Sequence, residues 1–308
     1  MNEKTPLQRA SPAFRRILFE GKISSLLPSP AITSKASSSI GEVVHLMNTN
    51  GVGCIPLTGD NGELVGILSE RDILRLVERY TQIASTPAQS IMVQPVQTLP
   101  NFGSVARALY FMVVGGYRHL PVSGIKLLAS SHGSNSLGLI SIKNIARYLN
   151  KSFGGKITAA HDLSNCSDDL TQLFSAPLSS LSPQEAIKLP LSTSVLNATA
   201  QMNIKHTGSI LVTDDKGKLK GIFTERDLIT RVITAGRSLG STSLESVMTP
   251  RPHTMMEGSS LALAMEVFST GKYRHLPVVD EEENLLGVLS LKDFIRALTT
   301  EVLRELGA

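Results

Sequence analysis

The chain has 308 residues, of which 42% are apolar and 18% charged, enough apolar material for one large or two ordinary cores, and this excludes wholesale disorder. A net charge of +4 with a pI near 9.1 permits an anionic partner, but the charge is spread too thinly to mark a nucleic-acid surface, and the absence of Trp argues against base-stacking platforms. No apolar run reaches the ~20 residues of a membrane span, and the two cysteines, Cys54 and Cys166, are too few for a disulfide framework or a Cys-only zinc site, so a cytoplasmic protein is expected.

Residues 1–20 read as a tail, with Lys4, Arg9, Arg15 and Arg16 but no apolar stretch of signal-peptide length. From residue 21 a pattern begins. Ser39 opens a segment in which Ile40, Val43, Val44 and Met47 fall at helical spacing. A Gly-containing turn leads to the strand CIPLT (54–58), the turn DNGE (60–63) to the strand LVGILS (64–69), and Ser69 to a second helix. Residues 21–85 thus predict a β-α-β-β-α unit. The pattern returns in 86–150, with Ser104, HLPVS (119–123) and SLGLIS (136–141). It returns in 177–240, with Ser194, SILVT (209–213) and LKGIFT (219–224), and in 241–308, with Ser260, HLPVV (275–279) and LLGVLS (285–290). Residues 151–176 read as a polar linker carrying one helical turn.

The spacing supports four repeats. From the opening Ser to the later Ser or Thr the intervals are 30, 37, 30 and 30 residues, and the long one holds SSHGSNS (130–136), which reads as a loop insertion. GILSERDIL (66–74) returns as GIFTERDLI (221–229), and GLISIKNIA (138–146) as GVLSLKDFI (287–295). The first and third units match, as do the second and fourth, so a pair of units has been duplicated. One unit is too small to bury both of its helices, and pairing consecutive units gives modules at 21–150 and 177–306.

Each unit ends on a hydroxyl three residues before an acid or amide: Ser69 and Asp72, Ser141 and Asn144, Thr224 and Asp227, Ser290 and Asp293. That is a capping box. Such boxes favour the longer Glu or Gln, so three Asp residues leave room for a second use, acceptance of both hydroxyls of a ribose diol. The residue before each acid or amide is basic, Arg71, Lys143, Arg226 and Lys292, where it opposes the helix dipole unless a phosphate is bound. Arg118-His119 and Arg274-His275 stand before the L-P-V strands of the second and fourth units only. They read either as solvated pairs or as phosphate contacts, Arg offering a planar fork and His a second donor. The first and third units have Gly53, Cys54 and Ile55, and Gly208, Ser209 and Ile210, at these positions, small enough at the strand start for a flat base to approach the backbone. His45, His132, His161, His206 and His253 lack paired metal-ligand spacing. Gly154-Gly155-Lys156 is not a P-loop, and no hydrolase or metalloprotease signature appears.

The Ser-led helix, the strand ending in L-P-V and the G-h-h-[S/T]-x-x-D segment, where h is apolar, resemble the cystathionine-β-synthase (CBS) domain family, which works as tandem pairs called Bateman modules. Four in one chain are most similar to the γ subunit of AMP-activated protein kinase and its archaeal relatives. The resemblance implies an α/β (α+β) fold of four β-α-β-β-α repeats in two modules, without catalysis or a required cofactor. It implies AMP, ADP or ATP, the last with Mg, in clefts between paired repeats. Ribose would fall to Asp72, Asp227 and Asp293, and phosphate to Arg118, His119, Lys143, Arg274 and His275, although that family has His-Arg where this chain has Arg-His. The γ subunit also lacks the acid in its second repeat and leaves that site empty, so the Asn144 unit is expected to be the weak one. A protein partner such as a kinase, enzyme or transporter is implied, with the chain either a monomeric disc of two modules or a homodimer. The alternatives are another adenosyl ligand, such as S-adenosylmethionine, or an interaction module with empty clefts.

Overall fold

The computed structural model describes residues 12–125, 136–159, 169–181 and 183–307. The insertion at 130–135 and the linker residues 160–168, with His132, His161 and Cys166, lie outside the described residues. The four predicted repeats are present as four small sheets with helices.

The first helix of each repeat is capped by the expected serine. The helices are Ile40–Thr49, Val105–Val113, Val195–Ile204 and Leu261–Thr270. The hydroxyls of Ser39, Ser104, Ser194 and Ser260 each accept the backbone N–H three residues on, at 3.1–3.3 Å. This satisfies a donor that the helix itself cannot pair. The apolar stripe faces inward: Ile40, Val43, Val44 and Met47 in the first repeat and Leu261, Ala264, Met265 and Phe268 in the fourth are buried.

Each sheet is built alike. A short parallel strand lies beside the first long strand, which runs antiparallel to the second. A fourth edge comes from a connector. Ser29–Pro30, ahead of the first repeat's Ser-capped helix, pairs with the second repeat's Ser136–Ser141. Gln184, ahead of the third repeat's Ser-capped helix, bridges to Val288 in the fourth. Val93 and Thr249–Pro250, beyond the closing helices of the first and third repeats, return to those repeats' own strands. Connectors fit there because the sheet surface is bare. A Cβ on Gly66 would lie 2.2 Å from Met92 Sδ, and one on Gly221 would lie 2.2 Å from Met248 Sδ. The glycine of the G-h-h-[S/T] segment is therefore the seat of the connector.

The compact units are discontinuous. One unit holds the second and fourth repeats (1–30, 97–184 and 254–308), the other the first and third (31–96 and 185–253). Like repeats are joined by helix packing in the first unit, where Ile142–Ala159 lies against Leu261–Thr270, and by the Arg71–Glu225 and Arg226–Glu70 pairs in the second.

The unit of the second and fourth repeats has one continuous core. It also absorbs segments expected to be tail and linker. Pro12–Glu20 is a helix with Phe14 and Leu18 buried, and Tyr148 Oη donates to the Ile17 carbonyl at 3.0 Å. The closing helix of the second repeat runs from Ile142 to Ala159, and the linker adds a second helix, Asp169–Ser175. Phe14 stacks on Phe153 at 5.2 Å, and Phe153 meets Phe174 at 5.5 Å. The closing helix of the fourth repeat, Leu291–Glu305, is also long. In the unit of the first and third repeats the closing helices are short. Glu70–Leu76 ends in a 3-10 turn, and Glu225–Asp227 continues as π-helical Leu228–Ile233. Among the described residues no helix is long and apolar enough to cross a membrane.

Candidate functional site

The antiparallel register brings the predicted residues together. Cys54 lies opposite Ser69, His119 opposite Ser141, Ser209 opposite Thr224, and His275 opposite Ser290. Directly opposed residues present side chains to one face, so in every repeat the strand-start residue and the cap hydroxyl share an edge. The residue just before the strand closes the turn. The carbonyls of Gly53, Gly208 and Arg274 accept the first helical N–H of Glu70, Glu225 and Leu291 at 3.0, 3.2 and 2.8 Å.

The caps form, and Asp is long enough to make them. Asp72 Oδ2 accepts Ser69 N at 2.9 Å and Ser69 Oγ at 2.6 Å, and Asp227 Oδ2 accepts Thr224 N and Oγ1 at the same distances. Ser290 Oγ donates to Asp293 Oδ2. The shorter side chain is therefore no mark of a second role. What differs is the second oxygen. Asp72 Oδ1 lies 3.8 Å from Arg75 Nη1, outside hydrogen-bond distance. Asp227 Oδ1 accepts Thr249 Oγ1 at 3.1 Å and stands 3.4 Å from Arg231 Nη1. The sequence reading missed Thr249, whose only signal is its place in the connector after the third repeat.

Asn144 uses both ends of its amide. Oδ1 accepts Ser141 N at 2.9 Å and Oγ at 3.0 Å, while Nδ2 donates to the carbonyls of Leu26 at 3.1 Å and Leu27 at 3.4 Å. Those donors hold the backbone of the N-terminal connector, a task that an Asp could not perform.

The basic residues fall into two environments. In the unit of the first and third repeats, Arg71 Nε donates to Glu225 Oε1 at 3.3 Å, Arg226 Nε donates to Glu70 Oε1, and Arg226 Nη1 donates to the Gly51 carbonyl at 2.8 Å. Each arginine thus reaches the acid of the other repeat. Both acids are buried, 2% exposed for Glu70 and 3% for Glu225. Burial pushes the Arg71 guanidinium down from its ordinary pKa, with Asp72 acting in the opposite direction.

In the unit of the second and fourth repeats, the positions of Glu70 and Glu225 are Ile142 and Leu291. Lys143 Nζ donates to the Gly271 carbonyl, and Arg147 Nε to the Ser269 carbonyl at 3.3 Å. Lys143 is pushed down to about 8, first by burial and then by the positive fields of Arg147, Arg274 and Lys272. The structure thus brings Lys143 and Arg274 into one cationic cluster with Arg147 and Lys272, two residues that the sequence reading passed over. Arg296 Nη2 donates to the Val113 carbonyl at 3.0 Å, as Arg147 does to Ser269. Among the described residues no His, Cys, Asp and Glu are grouped to hold a metal ion.

The profile of the CBS domain matches residues 23–79, 179–234 and 244–300, together more than half of the chain. The chain belongs to the CBS domain family. The profile passes over the second repeat, which carries the insertion and Asn144, yet that repeat has the same strand order and caps as the others. The chain is 26% identical over 291 residues to the CBS domain-containing protein CBSCBSPB5 of Arabidopsis thaliana, across 88% of this chain and 52% of that protein. It is 26% identical over 310 residues to the meiotically up-regulated gene 70 protein of Schizosaccharomyces pombe, across 88% and 42%. The chain therefore spans about half the length of these curated relatives. In fold it is similar to a Methanocaldococcus jannaschii protein proposed to be an archaeal homologue of γ-AMPK, with a TM-score of 0.67, 17% identity, and coverage of 89% of this chain and 99% of that one.

Proposed function

We propose that this CBS-domain chain is a non-catalytic regulatory protein that binds adenine nucleotides at the helix starts of its repeats and reports their occupancy to a protein partner. The observation that carries the reading is the cluster of Lys143, Arg147, Lys272 and Arg274. Burial first, and then the positive fields of the three other cations, push Lys143 down to about 8, and an anion among them would relieve that repulsion. Arg118, His119, His275 and Lys292 belong to the same two repeats and extend the phosphate-binding set. Asp293, capping Ser290 in this unit, and Asp72 and Asp227 in the other, are the ribose acceptors; Gly53, Cys54, Ile55, Gly208, Ser209 and Ile210 flank the base. AMP, ADP and ATP all fit this chemistry, Mg entering only with ATP. The protein would work in the cytoplasm, and its partner would be a kinase, another enzyme or a transporter.

A ligand that binds only the folded state stabilises it by RT ln(1 + [L]/Kd), about 2.7 kcal/mol at 100 times Kd. AMP, ADP or ATP should therefore raise the melting temperature of the full chain by several degrees. No shift with any of the three at millimolar concentration would remove the reading.

A further inference from the structure

In the unit of the first and third repeats, the third repeat gathers four polar side chains at one sheet edge. Thr224 Oγ1 donates to Asp227 Oδ2 at 2.6 Å, and Thr249 Oγ1 donates to Asp227 Oδ1 at 3.1 Å. Ser209 lies directly opposite Thr224 in the register, so its side chain shares their face. Ser209 is 3% exposed, and among the described residues its Oγ is the buried side-chain oxygen or nitrogen without a hydrogen-bond partner. A buried hydroxyl can donate and accept, and nearly all such groups in folded proteins are paired. An orphan hydroxyl on the face that carries Thr224 and its Asp227 partner is a candidate for a ligand's polar atom.

The charges around this edge are already committed. Arg226 donates to Glu70 and to the Gly51 carbonyl. Arg231 stands 3.4 Å from Asp227 and donates to the Val247 carbonyl at 3.1 Å and to the Met248 carbonyl. Glu225 and Asp227 are both buried, and the strand start is Gly208-Ser209, where the second and fourth repeats have Arg-His. A phosphate here would find Arg226 already paired with Glu70 and Arg231 with Asp227 and two carbonyls, and would have to compete with those bonds, a cost an uncharged ligand avoids. We propose that the third-repeat site selects an uncharged riboside, a nucleoside without phosphate, with the Ser209 hydroxyl as its dedicated polar contact. This rests on the reading of the helix starts as riboside sites and goes beyond it by dividing the ligands between the two units.

The test uses the full chain, calorimetry, and adenosine and AMP as probes. Lys143→Ala/Arg274→Ala removes two of the four cations clustered in the other unit. In that background adenosine should still bind, and AMP no tighter than adenosine. Adding Ser209→Ala should weaken adenosine about tenfold or more, without lowering the ligand-free melting temperature, since an orphan hydroxyl contributes nothing to the fold. Ser209→Cys, which installs the residue of the first repeat, should show the same loss. Glu70→Gln should release Arg226 and tilt the site toward AMP. Unchanged adenosine affinity in both Ser209 variants, or AMP binding tighter than adenosine in the background variant, would overturn the inference. A wild-type chain that binds AMP but not adenosine would sink this inference alone, and one that binds neither would sink the nucleotide reading too.

Discussion

In the first and third repeats the cap hydroxyl is followed by Glu70-Arg71 or Glu225-Arg226, and in the second and fourth by Ile142-Lys143 or Leu291-Lys292. The cap geometry is the same in both pairs, yet the electrostatics are opposed. Where the acid is present it is buried and holds the arginine of the other repeat. Where an aliphatic residue replaces it, burial and then the positive fields of Arg147, Arg274 and Lys272 push Lys143 down to about 8. One position next to a shared motif thus separates arginines that pair with a buried acid of the other repeat from a lysine that is buried among other cations. The motif alone does not distinguish these environments.

The contrast can be broken by removing a cation from each unit. Arg71→Met removes the guanidinium that faces Glu225, 3% exposed, and should cost about 3 kcal/mol, the low end for breaking a buried pair because the Arg71 side chain is 31% exposed. Lys143→Met removes a partly desolvated charge from among three others and should leave stability at pH 7 unchanged or raised. Denaturant titration of the two variants checks this, and equal losses would erase the distinction between the units.

The pH dependence sharpens it next. The folded pKa of Lys143, about 8, is below its ordinary value of 10.5. The burden of the buried charge is therefore full below pH 8 and is relieved as pH climbs from 8 to 10.5, so the ligand-free wild type should gain stability over that window relative to Lys143→Met. AMP affinity should move the other way, falling as pH rises through 8 while Lys143→Arg, which stays protonated, holds steadier. A flat wild-type affinity between pH 7 and 9 would place the phosphate elsewhere.

The smallest expected effect concerns the second repeat. Asn144→Asp would turn a carboxylate toward the Leu26 and Leu27 carbonyls, losing two donated bonds at about 1 kcal/mol each, and should create no new nucleotide site. A raised calorimetric stoichiometry would show that the amide, and not the connector, keeps this repeat from binding.

The four repeats, their strands and the capping serines were legible because each is written in local spacing: a hydroxyl before an apolar stripe, or a Gly-led strand ending on Ser or Thr. What was not legible depends on residues far apart in sequence. Arg71 and Glu225 are separated by 154 positions, and the helical periodicity says nothing of their meeting. The connector strands are two residues long, too short to carry alternation, so their pairing with the repeat sheets was hidden. The N-terminal helix was read as tail because Phe14 and Leu18 find their stripe only against the second repeat. The capping boxes at Ser69 and Thr224 were legible from the spacing, and Asp72 and Asp227 reach the backbone at 2.9 Å despite their shorter side chains.

The central claim is that the cations of the second and fourth repeats, and not those of the first and third, hold the phosphate. Calorimetric titration of the full chain with AMP tests it most directly, comparing wild type with Lys143→Ala/Arg274→Ala. Two charge-assisted bonds at about 1.5 kcal/mol each predict a fall in AMP affinity of about 100-fold. AMP bound by the double variant as tightly as by the wild type would contradict the account.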